Sequence, residues 1–437
     1  MPSVYIETYG CQMNVADTEV MRGILGRAGF DATESPEDAD VILINTCAVR
    51  DNAERRVVGR VGELQRHKAP GNVMGVVGCM AQRLGATLLA REAKVDLVVG
   101  PDGYRNLPAM LTQAMAGERL ADVEFRSWEH YEDVPPIREH SPTAFVTVQR
   151  GCDYKCTFCI VPYTRGAERS RRLEDVLLET RGLVAQGISE ITLLGQTVNA
   201  YHDGTHDFAD LLRAVGAVEG VRRLRFTSPY PTDFTPRVIE AMAQVPAVCE
   251  HVHLPVQSGS NAVLRRMLRR YTREQYLAVV RQLREAMPGI TFSTDIIVGF
   301  PGETEAQFDE TLSLVFEAGF DDAYTFRYSP REGTPATRLG NGIPDDIASQ
   351  RLQRLIAAVR GQATGRNLAR VGSVHEVLVE RPAKRGNLLL ARTRGNHLVL
   401  VDLPSTSIGQ YRQVRLTGTT GSTFAGTVLG SRSMAVL

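Results

Sequence analysis

The 437-residue sequence has no run approaching the ~20 consecutive apolar residues that a membrane-crossing helix requires. Its first residues, Met-Pro-Ser-Val-Tyr-Ile-Glu, lead straight into a strand-like pattern, so neither a secretory signal nor a membrane span is expected. Hydrophobic content of 43% and charged content of 23% exclude collagen-like, coiled-coil and wholly disordered chains. No low-complexity tract or periodic repeat stands out. Lysine is scarce, four residues against 46 arginines, a bias that genome composition explains as readily as any contact. Charge of one sign is also missing, since 50 basic and 50 acidic residues balance. That balance argues against a nucleic-acid partner only if the charge is evenly spread.

It is not. Residues 1–137 carry 14 basic and 20 acidic side chains, and 138–365 carry 26 and 27. Residues 366–437 carry 10 and 3, a net of +7, so an anionic partner at the C-terminal end is allowed.

The hydrophobic pattern divides the chain into segments with different periods. In 1–118, short apolar runs at 4–8, 41–46, 73–77 and 97–99 alternate with helix-length amphipathic stretches near 15–29, 51–68, 80–93 and 103–117. Such alternation predicts βαβ units and a Rossmann-like parallel sheet covered on both faces. Residues 119–137, rich in polar residues and proline, read as a linker. A second alternating series fills 138–367, with strands expected at 144–149, 191–194, 224–228, 251–256, 291–298 and 323–328. Its clearest helices are 172–186, 272–287, 303–318 and 345–365. Six βα repeats are fewer than the eight of a closed barrel, so a partial, TIM-like (β/α)6 barrel is expected. From 368 to 434 the runs are short, β-branched and punctuated by Gly, Asn or Pro, at 374–379, 388–393, 398–401, 413–416 and 423–428. They predict a small β-barrel. The fold class is therefore α/β with an all-β tail.

The seven cysteines divide into three, three and one. An odd number in an α/β chain without a signal argues against a disulfide framework and for reduced thiols in the cytoplasm. Cys11, Cys47 and Cys79 each stand just past the C-terminal end of a predicted strand, where the loops of a parallel sheet converge on one crevice. Three thiolates there could hold a metal or a cluster. The alternatives are three ordinary half-buried cysteines, or a zinc site, which would want a fourth ligand where no histidine is near in sequence. Cys152, Cys156 and Cys159 form C-x3-C-x2-C directly after the first barrel strand. Three thiolates on one short loop can bind three irons of a 4Fe–4S cube and leave the fourth iron without a protein ligand, free to chelate a small molecule. Cys249 has no partner at metal spacing and reads as a core residue.

C-x3-C-x-aromatic-C, with Phe158 as the aromatic, after the first strand of a partial barrel resembles the signature of the radical S-adenosylmethionine enzymes. Three further cysteines in an N-terminal α/β domain and a small β-barrel behind resemble their methylthiotransferase branch. The resemblance spans essentially the whole chain. It runs through Glu7-Thr-Tyr-Gly-Cys-Gln-Met-Asn, Asn45-Thr-Cys-Ala-Val-Arg and Gly151-Cys-Asp-Tyr-Lys-Cys-Thr-Phe-Cys-Ile-Val-Pro-Tyr-Thr-Arg-Gly. It continues through Leu194-Gly-Gln-Thr-Val-Asn-Ala-Tyr, Thr227-Ser-Pro-Tyr-Pro, His253-Leu-Pro-Val-Gln-Ser-Gly-Ser and Asp295-Ile-Ile-Val-Gly-Phe-Pro-Gly-Glu-Thr. Within the branch, Gln-Met-Asn after Cys11, the Gln-Thr-Val-Asn loop and Ser-Pro-Tyr-Pro are most like the members that act on isopentenylated adenosine in tRNA. Other members act on threonylcarbamoyl-adenosine in tRNA or on an aspartate of a ribosomal protein, and both stay open as substrates. A rival of another class is an RNA-binding iron–sulfur protein with no chemistry of its own, which would have little need of an open iron inside a barrel.

The resemblance implies an enzyme with two 4Fe–4S clusters. The radical cluster would sit on Cys152, Cys156 and Cys159, and the auxiliary one on Cys11, Cys47 and Cys79. The first would bind S-adenosylmethionine, whose reductive cleavage gives methionine and a 5′-deoxyadenosyl radical able to activate an inert C2–H of adenine. The second would supply a sulfur methylated by another S-adenosylmethionine, two being used per turnover. Phe158, Gln196, Asn199, Ser228, Gln257 and Asp295 are candidate contacts for S-adenosylmethionine or substrate. The Gly299/Gly302/Glu303 turn reads equally as a cofactor-facing loop and as a plain strand-to-helix turn. The tail resembles the TRAM barrel of RNA-modifying enzymes, with Arg381, Lys384, Arg385, Arg392 and Arg394 placed to meet phosphates of the anticodon stem-loop. A solvated basic face is the bland alternative. The target base would have to leave its stack. An electron donor such as flavodoxin and sulfur- or cluster-delivery proteins are implied as partners. No membrane is expected, and a monomer is.

Overall fold

The computed structural model describes residues 1–48, 51–69, 71–92, 94–138, 141–384 and 386–430. Val49 and Arg50 of the second cysteine motif, Arg385 and the last expected residues of the tail, 431–434, lie outside them.

Six parallel strands form the first sheet: β1 (Ser3–Tyr9), β2 (Asp31–Ala32), β3 (Val41–Thr46), β4 (Val73–Gly78), β5 (Leu97–Val99) and β6 (Leu120–Asp122), in the order β2-β1-β3-β4-β5-β6. β3 and β4 lie at its centre and every one of their residues is buried, which explains runs as apolar as Val41-Ile-Leu-Ile. Cores lie on both faces of the sheet, one built on Met21, Leu43 and Leu111, the other on Ile44, Val57 and Val98. The stretch 119–137 contributes β6 to this sheet, and Tyr131 and Val134 to its core.

The central segment holds β7 (Thr143–Thr147), the two-residue pair β8 (Gln149–Arg150) and β9 (Arg169–Ser170), β10 (Glu190–Leu194), β11 (Arg223–Phe226), β12 (His251–His253), β13 (Thr291–Val298) and β14 (Asp322–Arg327). β11-β10-β7 and β12-β13-β14 are parallel sheets, and a parallel bridge from Leu224 to Val248 links β11 to the chain just before β12. The six barrel strands therefore curve into an open partial barrel, with an antiparallel clip, β8–β9, at the mouth of the cysteine loop. The helix expected at 345–365 runs Asp345–Arg370.

The tail is a closed barrel in the order β15-β16-β17-β19-β18, made of β15 (Val374–Pro382), β16 (Leu389–Thr393), β17 (Leu398–Val401), β18 (Tyr411–Thr419) and β19 (Thr423–Val428). Closure leaves no unpaired edge. Arg223, fully buried, reaches from the central barrel to the carbonyls of Glu376 and Arg392 at 2.9 and 2.8 Å, and Arg225 to those of Thr393 and Arg394. No helix among the described residues is long and apolar enough to cross a membrane.

Candidate active site at the seam of two cysteine sets

β1, β3 and β4 run in register, so the residues after each strand emerge side by side. Those residues carry Cys11, Cys47 and Cys79. Cys11 caps the helix Gln12–Arg27 and Cys79 opens the helix Cys79–Leu84. Two asparagines of the flanking motifs lock these loops together. Asn14 donates to Asn45 Oδ1 at 3.1 Å and to the Thr46 carbonyl at 3.2 Å, while Asn45 donates to the Asn14 carbonyl at 2.7 Å. Gly78 has a φ of +92°, and a Cβ there would stand 2.5 Å from Asn45 Oδ1, so only glycine fits beside Cys79. A hydrogen bond with Cys47 and the nearby Arg165 pull the exposed Cys11 thiol down to about 6. Burial raises the Cys79 thiol, against the opposing charge of Arg165.

The second set lies on the loop after β8. Gly151 turns it with a φ of +76°, and a Cβ there would stand 1.9 Å from the Ala167 carbonyl. Gln149, fully buried, spans from the Gly151 carbonyl (3.0 Å) to the Gln196 amide (2.8 Å), tying the loop to the end of β10. The far side is held by Thr157, whose N–H and hydroxyl donate to the carbonyls of Met267 and Arg266. Burial pushes Cys152 up to about 11 and Cys159 up to about 12, so without metal both hold their protons. Metal binding here would therefore release protons. Arg269 places Nη1 3.5 Å from Cys156 Sγ and stacks over Tyr230 and Tyr271 at 4.3 and 5.0 Å. Tyr154, inside the loop, stacks on Tyr230 with centroids 3.7 Å apart, and its hydroxyl donates to Asp233 at 2.7 Å.

The two sets share one seam. Ile160, next to Cys159, packs against Ala48 and Cys79. Arg165, six residues after Cys159, donates from Nε to Cys79 Sγ at 3.0 Å. Asp17, fully buried on the helix after Cys11, pairs with Arg165 at 2.7 Å and with Arg150 at 3.0 Å.

Both donor sets consist of sulfur alone, soft ligands that suit an iron–sulfur cluster. Among the described residues no three His, Cys, Asp or Glu side chains converge closely enough to hold a single metal ion. Thiolates of a cube sit on separate irons, so three of them need not converge on one ion.

The other expected residues fall at the C-terminal ends of the barrel strands. Phe158 is half-buried against the cluster of Val263, Met267, Phe300 and Ala336. The buried side-chain oxygen of Gln196 has no hydrogen-bond partner. Ser228 and Gln257 hold φ angles of +58° and +70°, a strained state for side-chain-bearing residues that clusters at functional sites. Asp295 lies 3.4 Å from His253. Asn199 is spent on the fold, its amide giving and receiving hydrogen bonds with the Tyr230 backbone at 2.9 and 2.7 Å. In the Gly299/Gly302/Glu303 turn, Oε2 of the buried Glu303 accepts from the Gly299 amide at 2.7 Å and pairs with Arg351, while its Oε1 has no hydrogen-bond partner. Cys249 is buried near Arg225, within the core as expected. Arg394 pairs with Glu250 and Arg392 with Glu380, which commits both inside the chain, while Arg381 and Lys384 are exposed. Gln149, Arg150, Asp17, Arg165 and Arg269 were not singled out from the sequence. Only the position of Arg165 inside the third cysteine motif hinted at a role.

Residues 3–100 match the uncharacterized protein family UPF0004, and residues 146–315 the radical SAM superfamily. The tRNA-2-methylthio-N(6)-dimethylallyladenosine synthase of Anoxybacillus flavithermus is 47% identical over 423 residues, covering 94% of this chain and 80% of that protein. The protein of that name from Burkholderia thailandensis is 44% identical over 430 residues, covering 94% of each. Among solved structures, the radical S-adenosylmethionine methyltransferase TsrM from Kitasatospora setae, with cobalamin and a 4Fe-4S cluster bound, is similar at a TM-score of 0.58. That match has 16% identity and covers 77% of each chain. The cobalamin-dependent radical enzyme OxsB is similar at 0.53 and 14% identity, over 81% of this chain and 56% of that one. At such identities the two structures share the fold and carry no statement about substrate.

Proposed function

Because the chain belongs to the radical S-adenosylmethionine methylthiotransferases, in the branch of the tRNA-2-methylthio-N(6)-dimethylallyladenosine synthases, we propose that its two cysteine sets and open barrel together insert a methylthio group at C2 of N6-isopentenyladenosine beside the anticodon of tRNA. It is an enzyme of S-adenosylmethionine and 4Fe–4S clusters. When bound, the clusters supply an open iron with an electron for S-adenosylmethionine on one side and a transferable sulfur on the other.

The observation that carries this reading is the shared seam, where Ile160 touches Cys79 and Arg165 reaches it from the barrel loop. Cys152, Cys156 and Cys159 would hold the radical cluster, and Cys11, Cys47 and Cys79 the auxiliary one. The half-buried Arg269 at Cys156 and the buried Arg165 at Cys79 would offset the negative charge that three thiolates bring into each site. Ser228, Gln257 and the free oxygen of Gln196 would orient S-adenosylmethionine or the target base, with the backbone at Phe158 against the adenine and Asp295 at the polar end. Asn199 acts one step removed, by fixing Tyr230. The closed tail barrel, the TRAM-like domain, would grip the anticodon stem through Arg381 and Lys384, with Arg385 as an additional cation.

Protein reconstituted under anaerobic conditions and incubated with an isopentenylated anticodon stem-loop, S-adenosylmethionine and a reductant such as flavodoxin should yield the 2-methylthio nucleoside. No product on that RNA, with product on a threonylcarbamoyl-adenosine stem-loop or a ribosomal-protein peptide, would reassign the substrate.

A further inference from the structure

Arg165 belongs to the barrel by sequence and to the N-terminal domain by contact. It ends the short helix Pro162–Arg165 that follows Cys159, and its side chain is 3% exposed. Nε donates to Cys79 Sγ at 3.0 Å. Nη1 lies 2.7 Å from Asp17 Oδ2 without the alignment of a hydrogen bond, and Nη2 has no acceptor. Unsatisfied donors in so buried a place ask for a partner, and Nε beside them already reaches the Cys79 sulfur. Asp17 is also held by Arg150, two residues before Cys152, and receives the Tyr104 hydroxyl at 3.4 Å. One carboxylate against two guanidinium groups leaves one positive charge beside the thiols. Asp17 and Cys11 share a helix, while Arg150 and Arg165 bracket the C-x3-C-x2-C loop. A single buried junction thus touches the mounting of both cysteine sets.

We infer that Arg165 is a positioning residue for the auxiliary cysteine set, joining Cys79 and Asp17 to the radical-cluster loop so that the two sets keep a fixed separation. The inference rests on the assignment of Cys11, Cys47 and Cys79 to an auxiliary cluster. The guanidinium suits the task because its rigid planar fork holds Nε on the sulfur and Nη1 beside the carboxylate at a fixed spacing, whereas an ammonium is a compact charge on a flexible stem.

The test is Arg165→Lys in the full-length reconstituted enzyme. Lysine keeps the charge that Asp17 needs and loses the fork. The variant should keep the parent's thermal midpoint and its total iron. Methylthio product formed per S-adenosylmethionine cleaved should fall about 10–100-fold, the loss typical of partners behind metal ligands. The magnetic interaction between the two reduced clusters, read by electron paramagnetic resonance, should change with it. A parent-like product ratio and spectrum would overturn the inference. If the variant does not fold, Asp17→Asn is measured in the same way, with the same two outcomes. Cys79→Ala separates the two ideas, since it should hold about four irons per chain in place of about eight. Retention of about eight would remove the auxiliary-cluster assignment itself, while loss of iron beside an unaffected Arg165→Lys would remove only the positioning role.

Discussion

At the scale of single residues, the proposed assignment makes each cysteine set stand or fall as three. Cys156→Ala strips the loop of the sulfur that Arg269 faces and should abolish S-adenosylmethionine cleavage, read as 5′-deoxyadenosine formed. Cys47→Ala should spare that cleavage and stop methylthio transfer, because it empties the other set. Methylthio product surviving in Cys47→Ala would refute the sulfur-donor role. The six cysteines were legible in the sequence because residue type, spacing and position after strands all point to the same chemistry. Their counter-charges were not. Arg165 meets Cys79 across 86 positions, Arg269 meets Cys156 across 113 and Arg150 meets Asp17 across 133. Apart from the place of Arg165 inside a cysteine motif, nothing local distinguishes them from the other arginines in a chain that has 46. The strain at Ser228 and Gln257 was equally hidden, since a positive φ outside glycine leaves no mark in composition.

At the scale of elements, the helix Gln12–Arg27 binds the N-terminal domain to the barrel through a carboxylate rivalry. Arg138 lies 2.5 Å from Glu179 and 3.0 Å from Glu19. Glu179 also takes Arg171 at 2.6 Å, and although burial opposes its charge the two guanidinium groups hold it below the usual carboxylate range. Glu19, whose Oε2 makes no hydrogen bond, is pushed up by burial to about 7. Between the ordinary glutamate value of 4.5 and about 7 the folded chain keeps a proton that the unfolded chain has lost. Stability from this group therefore falls as pH rises through that window and is flat above it. Glu19→Gln copies the protonated shape, so it should gain on the order of 1–3 kcal/mol over the parent at pH 8 and little at pH 4.5, measured by urea unfolding. An equal effect at both values would contradict the titration. The long strands and helices were readable from their periods, but β2, β6, β8 and β9 were not. β2, β8 and β9 have two residues each, too few to show a period, and β6 lies in a stretch whose prolines and charges read as linker.

At the scale of the whole molecule, the neutral total conceals an acidic first domain and a tail of net +7. Part of that positive charge serves assembly. Arg394 donates to Glu250 and to the Val248 carbonyl at 2.6 Å, so Arg394→Ala should lower stability by on the order of 1–3 kcal/mol and leave the salt dependence of tRNA binding intact. Arg381→Ala or Lys384→Ala, at exposed positions, should instead reduce the slope of log affinity against log salt by about 0.7–0.9 per cation. A steep loss of slope in Arg394→Ala alone would reverse these assignments. The central claim is that this chain places a methylthio group on isopentenyladenosine, and mass spectrometry of tRNA nucleosides from cells lacking the protein tests it most directly. The account predicts that 2-methylthio-isopentenyladenosine disappears while its unthiolated precursor accumulates, and an unchanged level of the methylthio nucleoside would contradict it.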